Sequence, residues 1–275
     1  MTGTPYLVRL QGGITKPKDS SLGVDFARVV EEVGRNVTEF AVGNEVFGGA
    51  NGAFAQYVMV KPKSIAAKPQ NVSFDEAAAV PIAAFTALQA LRDKGALTVG
   101  QKVLINGAAG GVGTMAVQIA KAFGAEVTAV CSTRNLDMVS SIGADHVIDY
   151  TQEDFTKGTP RYDLFIENIG NHSLMASKRV LSPEGIYVLV GGPKARFLGP
   201  LIRLVKALVI FAPSKKRAAP LLASQNKADL AVISSLLAEG NLKPVLDQSY
   251  PLEEAAAALD HLGGGHAQGK ILIVL

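Results

Sequence analysis

The second half of the chain alternates short apolar runs with stretches that repeat at helical spacing. The apolar runs predict strands, and they lie at 102–106, 126–131, 146–150, 162–166 and 186–190. The segments between them carry apolar residues three and four positions apart, which is the spacing of a helix that is buried on one side. This alternation predicts a parallel sheet covered by helices on both faces, which is a doubly wound α/β fold.

The first part of the chain follows a different pattern. Between 21 and 68, β-type runs are separated by Gly and Asn, and one of these runs lies at 54–60. Ser73 followed by Glu76 is the signature of a capping box, which predicts the start of an alanine-rich helix. A β-rich region and a helical connection are therefore expected before the alternating part begins.

The tail ends on a helix and a strand. The segment 251–261 predicts a helix that ends at the glycines 263–265, and 271–275 predicts a closing strand. The spacing leaves open whether that strand returns to the first region or lies at a sheet edge.

The most informative segment is Gly-Ala-Ala-Gly-Gly-Val-Gly at 107–113, between a predicted strand and a helix predicted over 112–123. Such a loop turns tightly, lets the backbone approach a phosphate, and leads into a helix N-terminus that offers N–H groups and partial positive charge. The length of the whole strand–helix–strand unit fits a dinucleotide site. The residues predicted to form it are Ala109, Gly110, Gly111, Val112 and Gly113.

The end of the second strand predicts which dinucleotide binds. NAD-specific sites place an Asp or Glu about 20 residues after the glycines, whereas this chain has Ser132, Thr133 and Arg134 there. Two hydroxyls and a guanidinium suit a 2′-phosphate, which an acid would repel. These residues predict NADPH as the cofactor, unless Arg134 only begins a solvated helix.

The same topology predicts the other end of the site. Ligands of open parallel sheets lie outside the carboxyl ends of the strands. This rule places Ile169, Gly170, Gly191 and Gly192 beside the nicotinamide half of the cofactor. Ordinary turn glycines are the alternative interpretation.

Composition excludes several other classes of protein. The chain has 275 residues, of which 48% are hydrophobic and 19% charged, and its formal net charge is +3. These values are typical of an ordered globular protein, and no basic stripe indicates nucleic acid as a partner. The single cysteine, Cys131, lies in a predicted strand and is interpreted as a small core residue. The most apolar window, 197–212, is too short to span a bilayer and contains Arg203 and Lys206, so it predicts a buried or cleft-covering helix in a cytoplasmic protein with no membrane partner.

Taken together, these segments resemble the medium-chain dehydrogenase/reductase superfamily, in the zinc-independent quinone oxidoreductase (zeta-crystallin-like) branch. The resemblance spans nearly the whole chain and rests on motifs that occur in the family's order: Gly-Val-Asp-Phe-Ala at 23–27, Gly-Asn-Glu-Val-Phe-Gly at 43–48, Ala-Ala-Ala-Val-Pro at 77–81, the glycine loop, Gly-Ala-Asp-His-Val-Ile-Asp-Tyr at 143–150 and Gly-Lys-Ile at 269–271.

The resemblance implies three segments: a partial GroES-like β-barrel domain over 1–82, a Rossmann NADPH-binding domain over 83–242, and a C-terminal segment over 243–275 that packs on the first domain. It also implies hydride transfer from NADPH to a quinone, enone or reactive carbonyl. Carried over by position, Thr86 lies near the nicotinamide, Ser132 to Arg134 hold the 2′-phosphate, Tyr150 lies against the adenosine, and Lys270 lies near the cofactor.

Two departures from the family pattern bear on mechanism. Zinc-dependent members carry Gly-His-Glu where this chain has Gly23-Val24-Asp25, and no cysteine lies near Val80 and Pro81, so no metal site is expected. The family's opening strands, which carry residues that face the nicotinamide, precede the first matching segment. We therefore expect a chain truncated at its N-terminus, inside the barrel domain.

The sequence identifies no catalytic acid–base pair. His146, His172, His261 and His266 are scattered, and each is interpreted as structural or solvated; Tyr57 is a candidate proton donor, with a buried strand tyrosine as the alternative. Other functions stay open. They are a 2-alkenal or enoyl reductase with the same fold and cofactor, and a non-catalytic NADPH-binding protein. A homodimer is also compatible with the pattern.

Overall fold

A computed structural model describes residues 21–192 and 199–275 of the chain. They divide into two compact units. The sheet unit comprises Gln89–Ala108 and the described residues of Ala120–Leu222, and the terminal unit comprises Ser21–Leu88, Ala109–Ile119 and Ala223–Leu275. The domain boundaries expected from the sequence, after residues 82 and 242, stay a prediction.

Within these residues the strands and α-helices follow one another along the whole chain. The strands are β1 (Asp25–Val29), β2 (Glu45–Gly49), β3 (Ile65–Ala67), β4 (Lys102–Asn106), β5 (Glu126–Cys131), β6 (His146–Asp149), β7 (Tyr162–Glu167), β8 (Leu181–Leu189), β9 (Arg217–Pro220), β10 (Leu246–Pro251) and β11 (Lys270–Val274). The α-helices are α1 (Phe74–Ala78), α2 (Pro81–Gln89), α3 (Gly111–Ala122), α4 (Leu136–Ser141), α5 (Leu174–Arg179), α6 (Gly199–Phe211), α7 (Lys227–Ala238) and α8 (Ala255–Gly264).

The sheet unit is built on a six-stranded sheet in the order β6-β5-β4-β7-β8-β9, and every pairing in it is parallel. The central strands β4 and β7 are apolar throughout their middles and fully buried, as strands covered on both faces must be. Chain order reverses between these two strands, so their carboxyl ends flank the topological switch point, where doubly wound folds bind ligands. The predicted α/β fold is confirmed.

Two strand predictions in this sheet need correction. β8 begins at Leu181, five residues before the predicted start, and β9 was not predicted at all. Pro183 and Gly185 inside β8 resemble a loop in sequence, and the pairing of β7 with β8 is irregular between Tyr162 and Leu164. β9 is a short edge strand that ends on Pro220, and a proline is tolerated only at such an edge.

The terminal unit contains an antiparallel sheet in the order β1-β2-β3, with a small apolar cluster around Phe26 and Val46. The strand predicted at 54–60 is absent. Val58 and Val60 pack on the cluster while Met59 is exposed, so the alternation of the sequence is real, but this segment pairs with no other described strand. Tyr57 is therefore not a buried strand tyrosine; its side chain is 75% exposed.

The closing strand belongs to the terminal unit. β11 pairs in parallel with β10, and α8 ends at Gly265 in the left-handed conformation with φ 73°, as the glycine run predicts. The question that spacing left open is thus answered in part, because β11 lies in the same compact unit as β1 to β3.

Helix α6 is not the buried helix that its apolar sequence predicts. Ala207 and Phe211 are buried, and the helix packs on α5 and β9. Val205, Leu208 and Val209 are nonetheless about half exposed or more, because apolar residues surround the helix and only one stripe of them faces the sheet. Positions 197 and 198 of the predicted segment lie outside the described residues. Among those described, no helix combines the length and apolar character needed to cross a bilayer.

The predicted capping box is confirmed at the start of α1. Ser73 Oγ accepts from the Glu76 backbone N–H at 3.2 Å, and a Glu76 carboxylate oxygen accepts from the Ser73 backbone N–H at 2.9 Å. These two bonds satisfy backbone donors that the first turn of a helix leaves without partners.

We expect Ser73→Ala to lower the free energy of unfolding by about 1 kcal/mol because one helix-end N–H loses its acceptor. Urea denaturation of the full chain measures the change. Ser140→Ala is the control, since Ser140 is an exposed serine inside α4 and the substitution there should cost nothing. Equal losses in the two variants would contradict the prediction.

Candidate functional site

The loop between β4 and α3 is fixed on the sheet by its backbone. The amides of Gly107 and Ala108 both donate to the Val130 carbonyl oxygen of β5, at 3.2 and 3.0 Å. Gly107 has φ +78°, and a Cβ there would lie 2.7 Å from Ile169 Cγ1. The position therefore requires glycine for its conformation and for its space. Helix α3 then begins at Gly111, and the first amides of a helix have no partners within it.

The next residues of the loop contact the start of β11 within the terminal unit. The amide of Gly269 donates to Ala109 O at 2.8 Å, and Gly110 and Gly269 form an isolated parallel bridge. A Cβ on Gly111 would lie 2.9 Å from Lys270 Cδ. The terminal unit thus brings together Ala109, Gly110, Gly111 and Lys270; Val112 and Gly113 follow in the first turn of α3.

Lys270 is held by a carboxylate from β1. Its Nζ lies 3.2 Å from Asp25 Oδ2, and Asp25 Oδ1 accepts the Ile82 backbone N–H at 3.0 Å. Burial raises the pKa of Asp25, and the charge of Lys270 opposes that rise. Thr86 lies one turn further along α2, and its hydroxyl donates to Ile82 O at 2.7 Å. The ion pair therefore joins β1, α2 and β11, with the Lys270 stem against Gly111.

At the carboxyl end of β7, the fully buried Glu167 organises the loop that follows. Its Oε1 accepts three hydrogen bonds: from the backbone N–H of Ile169 at 3.0 Å, from that of Gly170 at 2.8 Å, and from Asn106 Nδ2 at 2.8 Å. Gly191, after β8, packs so closely on this loop that a Cβ there would clash with the carbonyl of Asn168. The predicted residues Ile169, Gly170 and Gly191 thus lie together.

Glu167 also leads to a positive charge on α6. The Tyr187 hydroxyl donates to Glu167 Oε2 at 3.4 Å and accepts from Arg203 Nη2 at 2.9 Å. Burial and the neighbouring Glu167 raise the pKa of Tyr187 well above its usual range. Two buried polar atoms in this region, Asn168 Oδ1 and Arg203 Nε, have no hydrogen-bond partner among the described residues.

The residues after β5 form a separate group near the end of β6. Ser132 Oγ accepts from Asn135 Nδ2 at 3.1 Å, and Thr133 Oγ1 donates to Asp149 Oδ2 at 2.6 Å. The hydrogen bond from Thr133, with further bonds from Thr151, holds the pKa of Asp149 below its usual value. Tyr150, the next residue, is 54% exposed. The predicted cofactor residues Ser132, Thr133, Arg134 and Tyr150 therefore belong to neighbouring strand ends.

Sequence reasoning missed the carboxylates that hold these groups. Asp149 and Glu167 each follow directly from a strand, which is the only signal the sequence carries, and their partners lie 16 and 61 residues away along the chain. Gly192 behaves differently from Gly191, because a Cβ on it would meet nothing within 4 Å. The core interpretation of Cys131 is confirmed: the residue is buried, and this burial raises the pKa of its thiol to about 11.

The histidines have structural surroundings. His146 lies 3.2 Å from Glu126, His172 3.4 Å from Asp154, and His261 3.2 Å from Asp247. In the described parts of the chain, no three His, Cys, Asp or Glu side chains form a group that could hold a metal ion.

Comparison with known proteins supplies the family. Residues 5–70 match the model of the alcohol dehydrogenase GroES-like domain, and residues 142–273 match that of a zinc-binding dehydrogenase. The chain is 36% identical to a chloroplast envelope quinone oxidoreductase homolog of Arabidopsis thaliana, over 90% of this chain and 78% of the relative. It is 33% identical to a 2-methylene-furan-3-one reductase of Solanum lycopersicum, over 95% of this chain and 66% of that protein.

A solved structure agrees with both. The quinone oxidoreductase from Coxiella burnetii superposes with a TM-score of 0.84 at 31% identity, covering 99% of this chain and 84% of that one.

We expect Gly191→Ala to destabilise the protein by about 1–3 kcal/mol, because its Cβ meets backbone that cannot rotate away. Gly192→Ala, one residue further, should stay within about 0.5 kcal/mol of the wild type since its Cβ enters open space. Thermal unfolding of the two variants checks this. Indistinguishable melting temperatures would show that the contact at Gly191 is not limiting.

A second variant probes the buried carboxylate. Glu167→Gln keeps one acceptor oxygen but replaces the other with an amide that cannot accept the Tyr187 proton, so we expect a loss of about 1–3 kcal/mol. Glu184→Gln is the matched control because Glu184 makes only an exposed pair with Lys215 at 3.3 Å, which should be worth less than about 1 kcal/mol. Urea midpoints that move equally would contradict the special role of Glu167.

Proposed function

The chain belongs to the quinone oxidoreductase branch of the medium-chain dehydrogenase/reductase superfamily, and we propose that it is an NADPH-dependent oxidoreductase that reduces quinones or other electron-poor carbonyls and enones without a metal ion. The observation that carries the proposal is the glycine loop 107–111, where an added Cβ on Gly107 or Gly111 would lie within 3 Å of its neighbours. A loop with side chains at these positions could not lie so close to the sheet and still leave its helix N-terminus open to a phosphate.

The family binds a nicotinamide cofactor, and the residues around the loop fit one. Ala109 to Gly113 with the first amides of α3 would hold the pyrophosphate, and Lys270 would add positive charge beside it. Ser132, Thr133 and Arg134 would hold the 2′-phosphate, which favours NADPH, with Tyr150 near the adenosine. Ile169, Gly170, Gly191, Gly192 and Thr86 would line the nicotinamide end. When bound, the cofactor supplies the hydride of the reaction.

A catalytic zinc does not fit the residues present, although one matching family model is described as a zinc-binding dehydrogenase. Val24 has no donor atom, and the two oxygens of Asp25 already accept the Ile82 amide and pair with Lys270. A catalytic zinc site needs about three protein ligands with N, O or S donors. Our proposal therefore gives zinc no part in the reaction.

The chain's own contribution is to orient and to exclude water. Glu167 fixes the backbone of Ile169 and Gly170, so the surface that faces the nicotinamide is set before a ligand arrives. No described side chain at this end is proposed as an acid or base, and the proton comes from water. Tyr57, though exposed, stays a candidate donor without a contact that supports it.

Two other functions have specific support. The similarity to a 2-methylene-furan-3-one reductase favours an enone as substrate. A 2-alkenal or enoyl reductase would use the same cofactor site with a different pocket. A non-catalytic NADPH-binding protein would need that cofactor site alone. A cytoplasmic location and a homodimer stay predictions.

The test is binding measured beside turnover. The chain has no tryptophan, so the fluorescence of NADPH itself reports binding without interference. We expect NADPH to bind, and naphthoquinone-type or enal acceptors to oxidise it, with equal rates before and after treatment with EDTA.

The controls separate the alternatives. Oxidation by enals alone would favour the enone reductase, and binding without oxidation by any acceptor would contradict the enzyme. Loss of turnover after EDTA, restored by zinc, would contradict the metal-free mechanism, and absence of binding would contradict the cofactor assignment.

A further inference from the structure

One carboxylate faces the proposed site of the 2′-phosphate. Asp149 Oδ2 accepts the Thr133 hydroxyl at 2.6 Å, and its Oδ1 accepts the backbone N–H and the hydroxyl of Thr151 at 2.9 and 2.8 Å. The hydroxyl oxygens of Thr133 and Thr151 are themselves 3.0 Å apart. Two hydroxyls and one carboxylate therefore form a closed group at the ends of β5 and β6.

The number of protons decides what this group can offer a ligand. Each hydroxyl carries one proton, and the three oxygen–oxygen contacts compete for the two protons. The contact between Thr133 and Asp149 is the shortest and ends on a charged acceptor, which makes it the strongest of the three. The Thr133 proton therefore points at Asp149, and the hydroxyl presents only lone pairs to the outside.

The neighbouring Ser132 has the opposite polarity. Its oxygen accepts from Asn135 Nδ2 at 3.1 Å, a bond that uses a lone pair and not the serine proton. A phosphate has only acceptor oxygens at neutral pH and needs donors, whereas a ribose 2′-hydroxyl can donate to an acceptor. Ser132 thus suits the 2′-phosphate, while Thr133, as the structure places it, suits a 2′-hydroxyl.

We propose that Asp149 is a specificity-determining residue for the cofactor: by holding the Thr133 proton and by its own charge, it weakens binding of a 2′-phosphate and narrows the preference for NADPH over NADH. The proposal rests on the proposed function, in which Ser132, Thr133 and Arg134 hold the ribose end. Asp149 is charged at neutral pH, since its hydrogen bonds to Thr133 and Thr151 lower its pKa.

The variant Asp149→Asn reverses this polarity with little change of shape. An asparagine oxygen can keep the bonds from Thr151, and its Nδ2 then donates to Thr133, which releases the threonine proton toward a ligand. We expect the Kd of NADPH to fall about fivefold, the worth of one hydrogen bond. The Kd of NADH should change by less than about twofold, because that cofactor has no 2′-phosphate to gain a donor.

The chain supplies a matched control. Asp154 accepts the backbone N–H and hydroxyl of Thr156 at 2.9 and 2.7 Å, the same arrangement as Asp149 with Thr151, but pairs with His172 instead of Thr133. Asp154→Asn changes the net charge equally and should leave the ratio of the two Kd values as in the wild type. The double variant Asp149→Asn, Thr133→Val should lose the gain, since it lacks the released hydroxyl.

Fluorescence titration of the full chain with NADPH and NADH gives all the Kd values. An unchanged ratio in Asp149→Asn, an equal change in Asp154→Asn, or a gain that persists without Thr133 would each overturn this inference while leaving NADPH binding itself intact. Failure of the wild type to bind either cofactor would instead overturn the proposed function, and this inference with it.

Discussion

The buried carboxylate of Glu167 is the constraint on which the proposed nicotinamide end depends. A charged group without water must be surrounded by donors, and Glu167 Oε1 is met by two backbone amides and the Asn106 side chain. Those amides belong to Ile169 and Gly170, so satisfying the carboxylate also fixes the course of the chain after β7. The energetic demand of one side chain thereby sets the shape of a loop.

Two glycine loops then pack against that loop. A Cβ on Gly107 would lie 2.7 Å from the Ile169 side chain, and a Cβ on Gly191 would clash with the Asn168 carbonyl. Both approaches require that segment 168–170 stay where Glu167 holds it, because an interior packed this closely has no room to adjust. Glycine at these two positions is thus a consequence of the carboxylate as well as of the ligand. The carboxyl ends of β4, β7 and β8 form one unit because of it.

The sequence predicts the sheet well because its signal is local. Runs such as 102–106 and 126–131 are buried on both faces, and their boundaries agree with the structure to the residue. The segment 54–60 has an equally clear alternation and still forms no ladder, since pairing depends on a neighbouring strand that a local pattern does not contain. Asp149 and Glu167 were missed for the same reason. Their type is visible in the sequence, but their partners lie 16 and 61 residues away.

Three carboxylates at strand positions show why residue type alone does not determine a site. Asp25 is buried and pairs with Lys270, and burial raises its pKa; Asp149 is surrounded by hydroxyls that lower its pKa. Glu167 is used by backbone amides. The same chemical group therefore steadies a lysine, orients a threonine or shapes a loop, according to the donors that reach it. A search of the sequence for an acid after the second strand finds none, yet the fold brings Asp149 to that place from the third. Cofactor preference in such a site follows from the direction in which each hydroxyl proton points, and the count of charges in the motif does not contain that direction.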